Sequence, residues 1–289
     1  MTYKRRDFIK MGSSMMAGLA LAPLAGSLTG ESLEPASRIK KFGLQLYSLR
    51  DVLPNDPKSV LKQVASFGYK QAEGYEGPKG IFWGMSNTDF KKYMDDIDLN
   101  FVATHCNIDV DFEKKAAEAA AIGMKYLICP SRGQKTIEDF RKVAADFNVK
   151  GEICRKNGIR FAYHNHEYSF KEMEGQLPQD VMMSNTDPEL VDFEMDIYWV
   201  VTGKQDPIDW LNKYPNRFKL CHIKDRIKGA TERDASCTLG EGSIDYPVMA
   251  KTLAKKGMKY FIVEQERYDN STSLACAEAD AAYLKKMRF

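Results

Sequence analysis

Short apolar runs that each end on a polar side chain recur through this chain of 289 residues. The last four runs are RFAYH, VDFEMD, FKLCH and YFIVE, which end at His164, Asp196, His222 and Glu264. Helix-like stretches lie between most of these runs. In a barrel of parallel strands, the carboxyl ends of the strands meet on one face. We therefore predict that the four polar residues gather around one metal ion, and a metal-assisted enzyme is the leading hypothesis.

Eight strand-like runs alternate with helix-like segments along the chain. The predicted strands are 42–46, 69–73, 101–105, 126–129, 160–164, 191–196, 218–222 and 260–264. The predicted helices are 57–67, 88–97, 112–122, 136–156, 207–213, 246–255 and 273–286. This alternation implies parallel strands with helical crossovers. The strand count favours an α/β fold, a closed eight-stranded parallel (β/α)8 TIM barrel, over an open doubly wound sheet.

Two further features refine this fold prediction. Several predicted helices end on a glycine, at Gly68, Gly123, Gly158 and Gly257, which is where a left-handed residue commonly ends a helix. No GxGxxG motif follows the first strand, where FGLQLYSLR stands, and this weakens a dinucleotide-binding interpretation. The segment 167–188 is long for a connection, so we predict that it forms a loop or short helix over the mouth of the barrel.

The first thirty residues differ in character from the rest. Their KRRDFIK motif and the following Met, Ala, Gly and Leu stretch resemble a twin-arginine export signal, with a disordered basic tail as the alternative. The apolar stretch is shorter than the ~20 residues that a spanning helix needs, so no retained membrane span is expected. Cleavage between Ala22 and Leu28 is expected, and retention as an anchor stays open. The predicted organisation is an export signal at 1–30, a linker at 31–41 and a barrel at 42–289, in a periplasmic protein.

The net charge argues against one class of binding partner, and the cysteines have an ordinary structural explanation. Without residues 1–30 the chain keeps 38 basic and 39 acidic side chains, a net charge of −1. A nucleic-acid partner is therefore not expected, because phosphate binding needs a clustered basic surface. Cys106, Cys129 and Cys221 lie at or beside strand ends, where a buried free thiol is the ordinary explanation.

Imidazoles and carboxylates at the strand ends form a plausible ligand set. His164, Asp196, His222 and Glu264 would suit a divalent metal ion such as Zn, Mn, Co or Mg, with open positions for substrate oxygens. Singly, each residue is weak support, because a strand-end histidine is often structural and a strand-end carboxylate often caps the next helix. Together they are stronger, since all four histidines of the chain, the others being His105 and His166, fall at or just after strand ends. His166 lies two residues after His164, so both can face one cavity.

The motifs QLYSLR, YHNHE, HIKD and LGEGSIDY together resemble the sugar phosphate isomerase/epimerase family with the xylose isomerase-like TIM barrel. The resemblance covers about residues 40–287. It implies a metal held by residues of the fifth to eighth strands, and Asp196, His222 and Glu264 match this pattern. His164 stands where the epimerases have a glutamate. Because the epimerases use two metal-bound glutamates as their acid/base pair, this substitution argues against symmetrical epimerisation. The same superfamily includes zinc-dependent abasic-site endonucleases, which carry a histidine where this chain has Trp199. The chain therefore resembles these nucleases less than it resembles the epimerases.

The resemblance implies a metal-dependent isomerase or epimerase that removes a proton next to the metal-bound carbonyl of a keto sugar. The alternatives are a lyase or dehydratase acting on a 3-keto sugar or keto-inositol, and a non-catalytic periplasmic sugar binder. The expected partner is a small-molecule carbohydrate without a phosphate group, since sugar phosphates are scarce in a periplasm. A homodimer is compatible with the resemblance.

Candidate roles follow for the remaining polar residues. His166 or Glu264 is the expected base, and Lys224 of HIKD is expected to stabilise the enolate. The residues expected to contact or orient substrate are Glu73, His105, His166, Trp199 and Glu266. The competing interpretations are that Lys224 and Asp225 form a surface ion pair and that Glu266 faces solvent.

Overall fold

The computed structural model describes residues 37–289. The predicted export signal and the first residues of the linker lie outside this range. Every helix within this range is too short or too polar to span a bilayer. The end of the linker is tied to the carboxyl terminus, because the Ser37 and Phe289 backbones exchange two hydrogen bonds of 2.8 and 3.0 Å.

Eight parallel strands close into a barrel in the described chain, which confirms the predicted (β/α)8 fold. The strands are β1 Gly43–Gln45, β2 Gln71–Tyr75, β3 Asn100–His105, β4 Tyr126–Cys129, β5 Arg160–His164, β6 Val191–Asp196, β7 Phe218–Ile223 and β8 Tyr260–Val263. Each strand pairs with its sequence neighbours, and β1 also pairs with β8 to close the ring. All eight predicted strands are present, with ends that differ from the prediction by up to two residues.

Nine α-helices accompany the strands in the described residues. They are α1 Pro57–Phe67, α2 Asn87–Asp96, α3 Phe112–Ala121, α4 Ile137–Lys156, α5 Pro178–Ser184, α6 Ile197–Thr202, α7 Pro207–Lys213, α8 Tyr246–Lys255 and α9 Ser273–Lys286. Side-chain caps begin several of them; Asp56, Ser86 and Thr136 each accept a hydrogen bond from a backbone N–H of the first turn. The four predicted helix-ending glycines all have positive φ, from 75° to 100°.

The connection between β5 and β6 differs in part from the prediction. α5 lies beside α4 rather than across the mouth of the barrel, with Asn148 of α4 donating to the Asn185 carbonyl at 3.1 Å. The part of this connection that lies directly after the carboxyl end of β5 is the 3-10 turn Glu167–Phe170. α6 was not predicted, because IYWVVT reads as a continuation of the apolar strand. Asp196 starts this helix by accepting a hydrogen bond from the Trp199 N–H.

The barrel interior changes from apolar to polar along the strands. A small apolar cluster comprises Val102, Ala103, Tyr126, Ile128, Ala162, Leu220 and Ile262. Ala162, Leu220 and Ile262 each precede a polar strand-end residue by two positions, so they share its inward face one layer lower. This layer supports the polar rim from below. The six cysteines are free thiols, and all except Cys237 are buried.

Candidate metal centre and substrate cavity

Asp196, His222 and Glu264 meet at the carboxyl ends of three neighbouring strands. The pairing of β6 with β7 places Asp196 directly opposite His222, and Glu264 follows β8 on the other side of His222, its N–H donating to the Ile223 carbonyl. One ligand atom from each residue lies within 4.8 Å of the others. His222 Nδ1 is 3.3 Å from Glu264 Oε2 and 3.7 Å from Asp196 Oδ2.

His164 borders this group one layer lower. Its partner across the β5–β6 pairing is Glu194 rather than Asp196, and its Nδ1 lies 3.1 Å from Glu194 Oε2. The other ring nitrogen, Nε2, lies 3.8 Å from Asp196 Oδ2. The structure therefore brings all four predicted ligand residues together, with Asp196, His222 and Glu264 as the compact set.

The contacts of His222 prepare its Nδ1 to bind a cation. Its Nε2 lies 2.7 Å from Glu73 Oε1, a distance at which an Nε2–H donates to the carboxylate. This tautomer leaves the Nδ1 lone pair directed toward Asp196 and Glu264, as in many metal sites where a carboxylate orients a histidine ligand. Burial opposes a charged imidazole, but Glu194, Glu264 and Asp196 raise the pKa of His222 well above its ordinary value, so a cation that binds here would replace the Nδ1 proton.

An unsatisfied oxygen marks the centre of the compact set. Asp196 Oδ1 accepts the N–H of Trp199 at 3.1 Å, whereas Asp196 Oδ2 is buried and has no hydrogen-bond partner. Leaving a carboxylate oxygen buried and unpaired is costly. An imidazole nitrogen and two carboxylates form a donor set that divalent cations accept. The residues present therefore fit a divalent metal ion.

A second tier of ionisable groups lies beneath the compact set. His105 Nε2 bridges Glu194 Oε2 at 2.9 Å and Glu73 Oε1 at 3.1 Å. Burial works against its charged form, yet the adjacent Glu73 and Glu194 raise the pKa of His105 to about 9. Burial, reinforced by Glu73, raises the pKa of Glu194 to about 7. His105, His164, Glu194 and His222 also place ligand atoms within 4.8 Å of one another.

Two of these positions refine the sequence prediction. Glu194 was missed, although the alternation in VDFEMD places it on the same face as Asp196, which was the available signal. Glu73 was expected to contact substrate, but it is fully buried and accepts hydrogen bonds from Gln45 Nε2 at 2.8 Å and from His222. The structure thus places Glu73 as a support for His222.

Lys224 is buried at the edge of the compact set, with 1% of its surface exposed. Its Nζ lies 3.1 Å from Glu264 Oε2 and also contacts the Glu266 carboxylate. Burial lowers the pKa of Lys224, but Glu264 and other nearby carboxylates outweigh it and raise the pKa above its ordinary value. The ammonium therefore stays charged. The alternative of a surface ion pair with Asp225 is wrong, because Asp225 instead accepts backbone N–H groups of the 240–244 loop.

His166 presents a neutral imidazole to the same region. Its ring stacks with Tyr168, at a centroid distance of 5.7 Å, and with Trp199, at 5.4 Å. Burial lowers the pKa of His166 to about 4, so the ring is unprotonated near neutral pH. Its Nδ1 is buried without a hydrogen-bond partner. The guanidinium of Arg233, another residue that was not predicted, lies 4.2 Å from the centre of the Trp199 ring.

Several of these side chains line a cavity of about 550 Å³ at the carboxyl end of the barrel. One side of the cavity is lined by residues from β5 to β8 and from the segments that follow these strands. They are His164, His166, Trp199, Arg233, Glu264 and Glu266. The β1 to β4 side contributes Tyr47, Tyr75, Glu76, His105, Cys106 and Asn107, with Pro130 and Ser131. Of the residues expected to contact substrate, all except Glu73 line this cavity. Glu266 therefore faces the cavity and Lys224 rather than open solvent.

Comparison with known proteins assigns the family. Residues 61–287 match the model of the xylose isomerase-like TIM barrel. The chain belongs to this family. A crystal structure of a sugar phosphate isomerase/epimerase from Parabacteroides distasonis is 31% identical, with a TM-score of 0.74 over 88% of this chain and 96% of that chain. The resemblance found in the sequence is thereby confirmed.

Two other similar proteins extend the comparison. An inosose dehydratase from Clostridium beijerinckii is 28% identical over 156 residues, which make up 49% of this chain and 52% of the relative. The match thus spans about half the length of that curated relative. The IolI protein, solved with a bound zinc atom, shares the fold at 16% identity, with a TM-score of 0.66 over 85% of this chain and 96% of that chain. This second match shows a shared fold.

Proposed function

We propose that this protein is a divalent-metal-dependent lyase that removes a proton next to the carbonyl of a keto sugar or keto-cyclitol and then eliminates the oxygen substituent one carbon further on. The observation that carries the proposal is the convergence of Asp196, His222 and Glu264 around the unsatisfied Asp196 Oδ2, beside a neutral His166. The isomerase or epimerase interpretation shares the first step, and the similarity to the Parabacteroides protein favours it as the second candidate.

Asp196, His222 and Glu264 would hold the metal ion, with His164 next to them. A divalent ion in such a site supplies Lewis acidity, which makes a carbon-bound proton next to a bound carbonyl more acidic. The supporting hydrogen bond from His222 to Glu73 fixes the orientation of the imidazole.

His166 is the better candidate for the base. Its ring lines the cavity, and its lowered pKa keeps the ring unprotonated at neutral pH. Glu264 is anionic, because Lys224 and His222 overcome its burial and lower its pKa. However, its Oε2 is already engaged by Lys224 and faces His222. The Lys224 ammonium cannot accept a proton, so its role is to stabilise the negative charge of the enolate.

The asymmetry of the site favours elimination. Epimerisation by a carboxylate pair needs a second carboxylate on the opposite face of the sugar, and the resemblance to the epimerases puts His164 at the position of that carboxylate. Burial and the neighbouring histidines lower the pKa of His164 well below its ordinary value, so this ring is neutral. Elimination needs only one base: His166 takes the carbon-bound proton, the enolate electrons expel the β-oxygen, and the His166 imidazolium returns the proton to that oxygen.

The charge of the cavity suits a substrate without phosphate. Glu76, Glu264 and Glu266 line it. The Arg233 guanidinium, which also lines it, is already paired with Glu167 at 3.0 Å. A phosphate group would therefore meet three carboxylates and a guanidinium that already has a partner.

The cellular location is proposed from the sequence. We propose that the KRRDFIK segment directs folded protein to the periplasm, where neutral sugars are available. Replacing both Arg5 and Arg6 by Lys should leave the protein in the cytoplasmic fraction of the producing bacterium. A periplasmic location that persists in this variant would refute the twin-arginine assignment.

The reaction can be tested with purified protein in deuterated water. Metal content is measured first, and the protein is then incubated with an inosose, a methyl 3-keto-glucoside or a free keto-hexose while proton NMR follows each substrate. We expect about one divalent ion per chain and an unsaturated ketone with release of water or methanol. The His166→Gln variant should keep its metal and lose turnover.

Each alternative outcome has a distinct meaning. An epimeric or isomeric product without release of water or methanol would refute the lyase in favour of the isomerase. Metal-free protein that binds sugar without exchanging any carbon-bound proton would indicate a binding protein. A phosphorylated keto sugar that turns over far faster than its neutral counterpart would contradict the predicted substrate class.

A further inference from the structure

One half of the cavity has no role in the proposed reaction. The groups that carry the chemistry come from β5 to β8 and the segments that follow them. The opposite half of the barrel supplies two tyrosines and a carboxylate, Tyr47, Tyr75 and Glu76, together with Asn107. A substrate confined to the reactive half would leave these residues without a contact.

The cavity is larger than a single sugar ring requires. Its volume is about 550 Å³. Ligand pockets of roughly 300–1,000 Å³ enclose drug-sized molecules, whereas a hexose or cyclitol has only about a dozen non-hydrogen atoms. The excess volume therefore accommodates part of a second ring.

Tyr47 and Tyr75 form a rigid aromatic corner in this second half. Their ring centroids are 5.3 Å apart and the ring planes are perpendicular, at 90°. Trp83 packs against Tyr75 at 6.1 Å, and the Arg50 guanidinium lies 4.8 Å from the centre of the Tyr47 ring. Tyr47 is nevertheless 40% exposed, which is unusual for a large side chain of this protein. Fixed aromatic surfaces in a concave site are typical contacts for a ligand ring.

Glu76 is held in place beside the aromatic corner. Both of its carboxylate oxygens lie 2.8 Å from Lys115 Nζ, and Oε2 also accepts the Asn107 N–H at 2.7 Å. Lys115 is itself buried, and a buried lysine nearly always has a partner carboxylate, which here is Glu76. The remaining lone pairs of the fixed carboxylate can accept hydrogen bonds from ligand hydroxyl groups.

From these observations we infer a second subsite, formed by Tyr47, Tyr75 and Glu76, that binds a hydroxylated ring attached to the reacting keto sugar. The substrate is then a glycoside, and under the proposed lyase reaction the ring in this subsite belongs to the departing group. The inference rests on the proposed function for the identity of the reacting ring. The second ring is either a sugar or a hydroxylated aromatic ring, since both combine an apolar face with hydroxyl groups.

Binding measurements test the subsite separately from turnover. The metal-loaded His166→Gln variant is titrated by calorimetry with three probes that share a 3-keto-glucosyl ring: the methyl glycoside, the glucosyl disaccharide and the hydroxyphenyl glycoside. We expect at least one two-ring probe to bind about tenfold more tightly than the methyl glycoside, a difference that a single aromatic contact can supply. The preferred two-ring probe identifies the source of the second ring.

Further substitutions in the same background locate the preference. Tyr75→Ala should remove the roughly tenfold gain and leave methyl glycoside affinity unchanged, whereas Tyr75→Phe should retain it. Glu76→Gln should weaken the two-ring probes selectively. Tyr93→Ala is the matched control, because Tyr93 lies on α2 with its hydroxyl bonded to the Lys58 carbonyl, away from the cavity.

The outcomes separate this inference from the proposed function. Equal affinity for all three probes, or equal weakening of all three by Tyr75→Ala, would overturn the second subsite whatever the reaction. A preserved two-ring preference with no turnover of any keto glycoside or inosose by the unmodified protein would instead refute the lyase and leave the subsite established. Absence of binding by every probe would overturn the second subsite and exclude keto glycosides as substrates.

Discussion

Asp280 provides a quantitative test of the structure far from the cavity. This residue lies on α9, is 1% exposed, and its Oδ1 accepts the Leu239 N–H at 2.8 Å. Burial raises its pKa to about 7, and the nearby Asp225 and Glu241 add to the effect against that single hydrogen bond. A free aspartic acid has a pKa of about 3.9. The folded protein therefore holds a proton that the unfolded chain releases at lower pH.

The sign of the effect on stability follows from proton linkage. Because the folded-state pKa is the higher one, folding is favoured most at low pH and loses stability as pH rises from about 4 to about 7. Over the interval from pH 5 to pH 8, the loss caused by this one group is about 2.5 kcal/mol. Asp280→Asn keeps the accepting oxygen and removes the titration. The variant should therefore gain about 2.5 kcal/mol relative to the unmodified protein as pH rises from 5 to 8.

Urea unfolding of both proteins at pH 5, 6, 7 and 8 measures this difference. The comparison at each pH cancels the pH dependence of the metal site, which both proteins share. Asp209→Asn, at an exposed position on α7, is the matched control and should change the free energy of unfolding by less than about 0.5 kcal/mol at every pH. A constant difference between Asp280→Asn and the unmodified protein across this range would refute the raised pKa.

Three further predictions concern packing and the metal site. Gly151→Ala should lower the free energy of unfolding by about 1–2 kcal/mol in urea, although alanine normally stabilises a helix, because the added Cβ would lie 2.7 Å from the Leu190 carbonyl oxygen. Asp196→Asn should reduce the metal content measured by mass spectrometry. Chelation should therefore lower the melting temperature of the unmodified protein more than that of the variant. Equal melting shifts would contradict the role of Asp196 as a ligand. Lys224→Gln should lower kcat by about 100-fold or more with a smaller change in KM, and an unchanged rate of proton exchange would exclude its role in stabilising the enolate.

Much of the barrel was predictable because its signals are local. Most strands are short apolar runs, and several of the crossover helices end beside a glycine. The β5 to β6 connection was harder to interpret, since Pro178–Ser184 has only seven residues and its position depends on contacts with α4. α6 was missed for a related reason: its apolar residues fit either a strand or a helix until Asp196 caps them.

The site was predictable in part for the same reason. His164, Asp196, His222 and Glu264 were recognisable because parallel strand ends meet on one face. Glu194 was recognisable only through its two-residue spacing from Asp196. The roles of Glu73 and Lys224 depended on distances across the barrel, which a single strand sequence does not contain.

The sequence by itself therefore determined the order of strands and helices, the closed α/β architecture and the set of polar residues at one rim. These properties depend on apolar periodicity and chain connectivity, which neighbouring residues specify. Only the tertiary structure decided which carboxylate faces which imidazole nitrogen, why Asp196 Oδ2 lacks a partner, and how Tyr47 and Tyr75 meet on one side of the cavity. Those properties depend on strand register and on burial among residues far apart in the sequence, so they exist only once the barrel has closed.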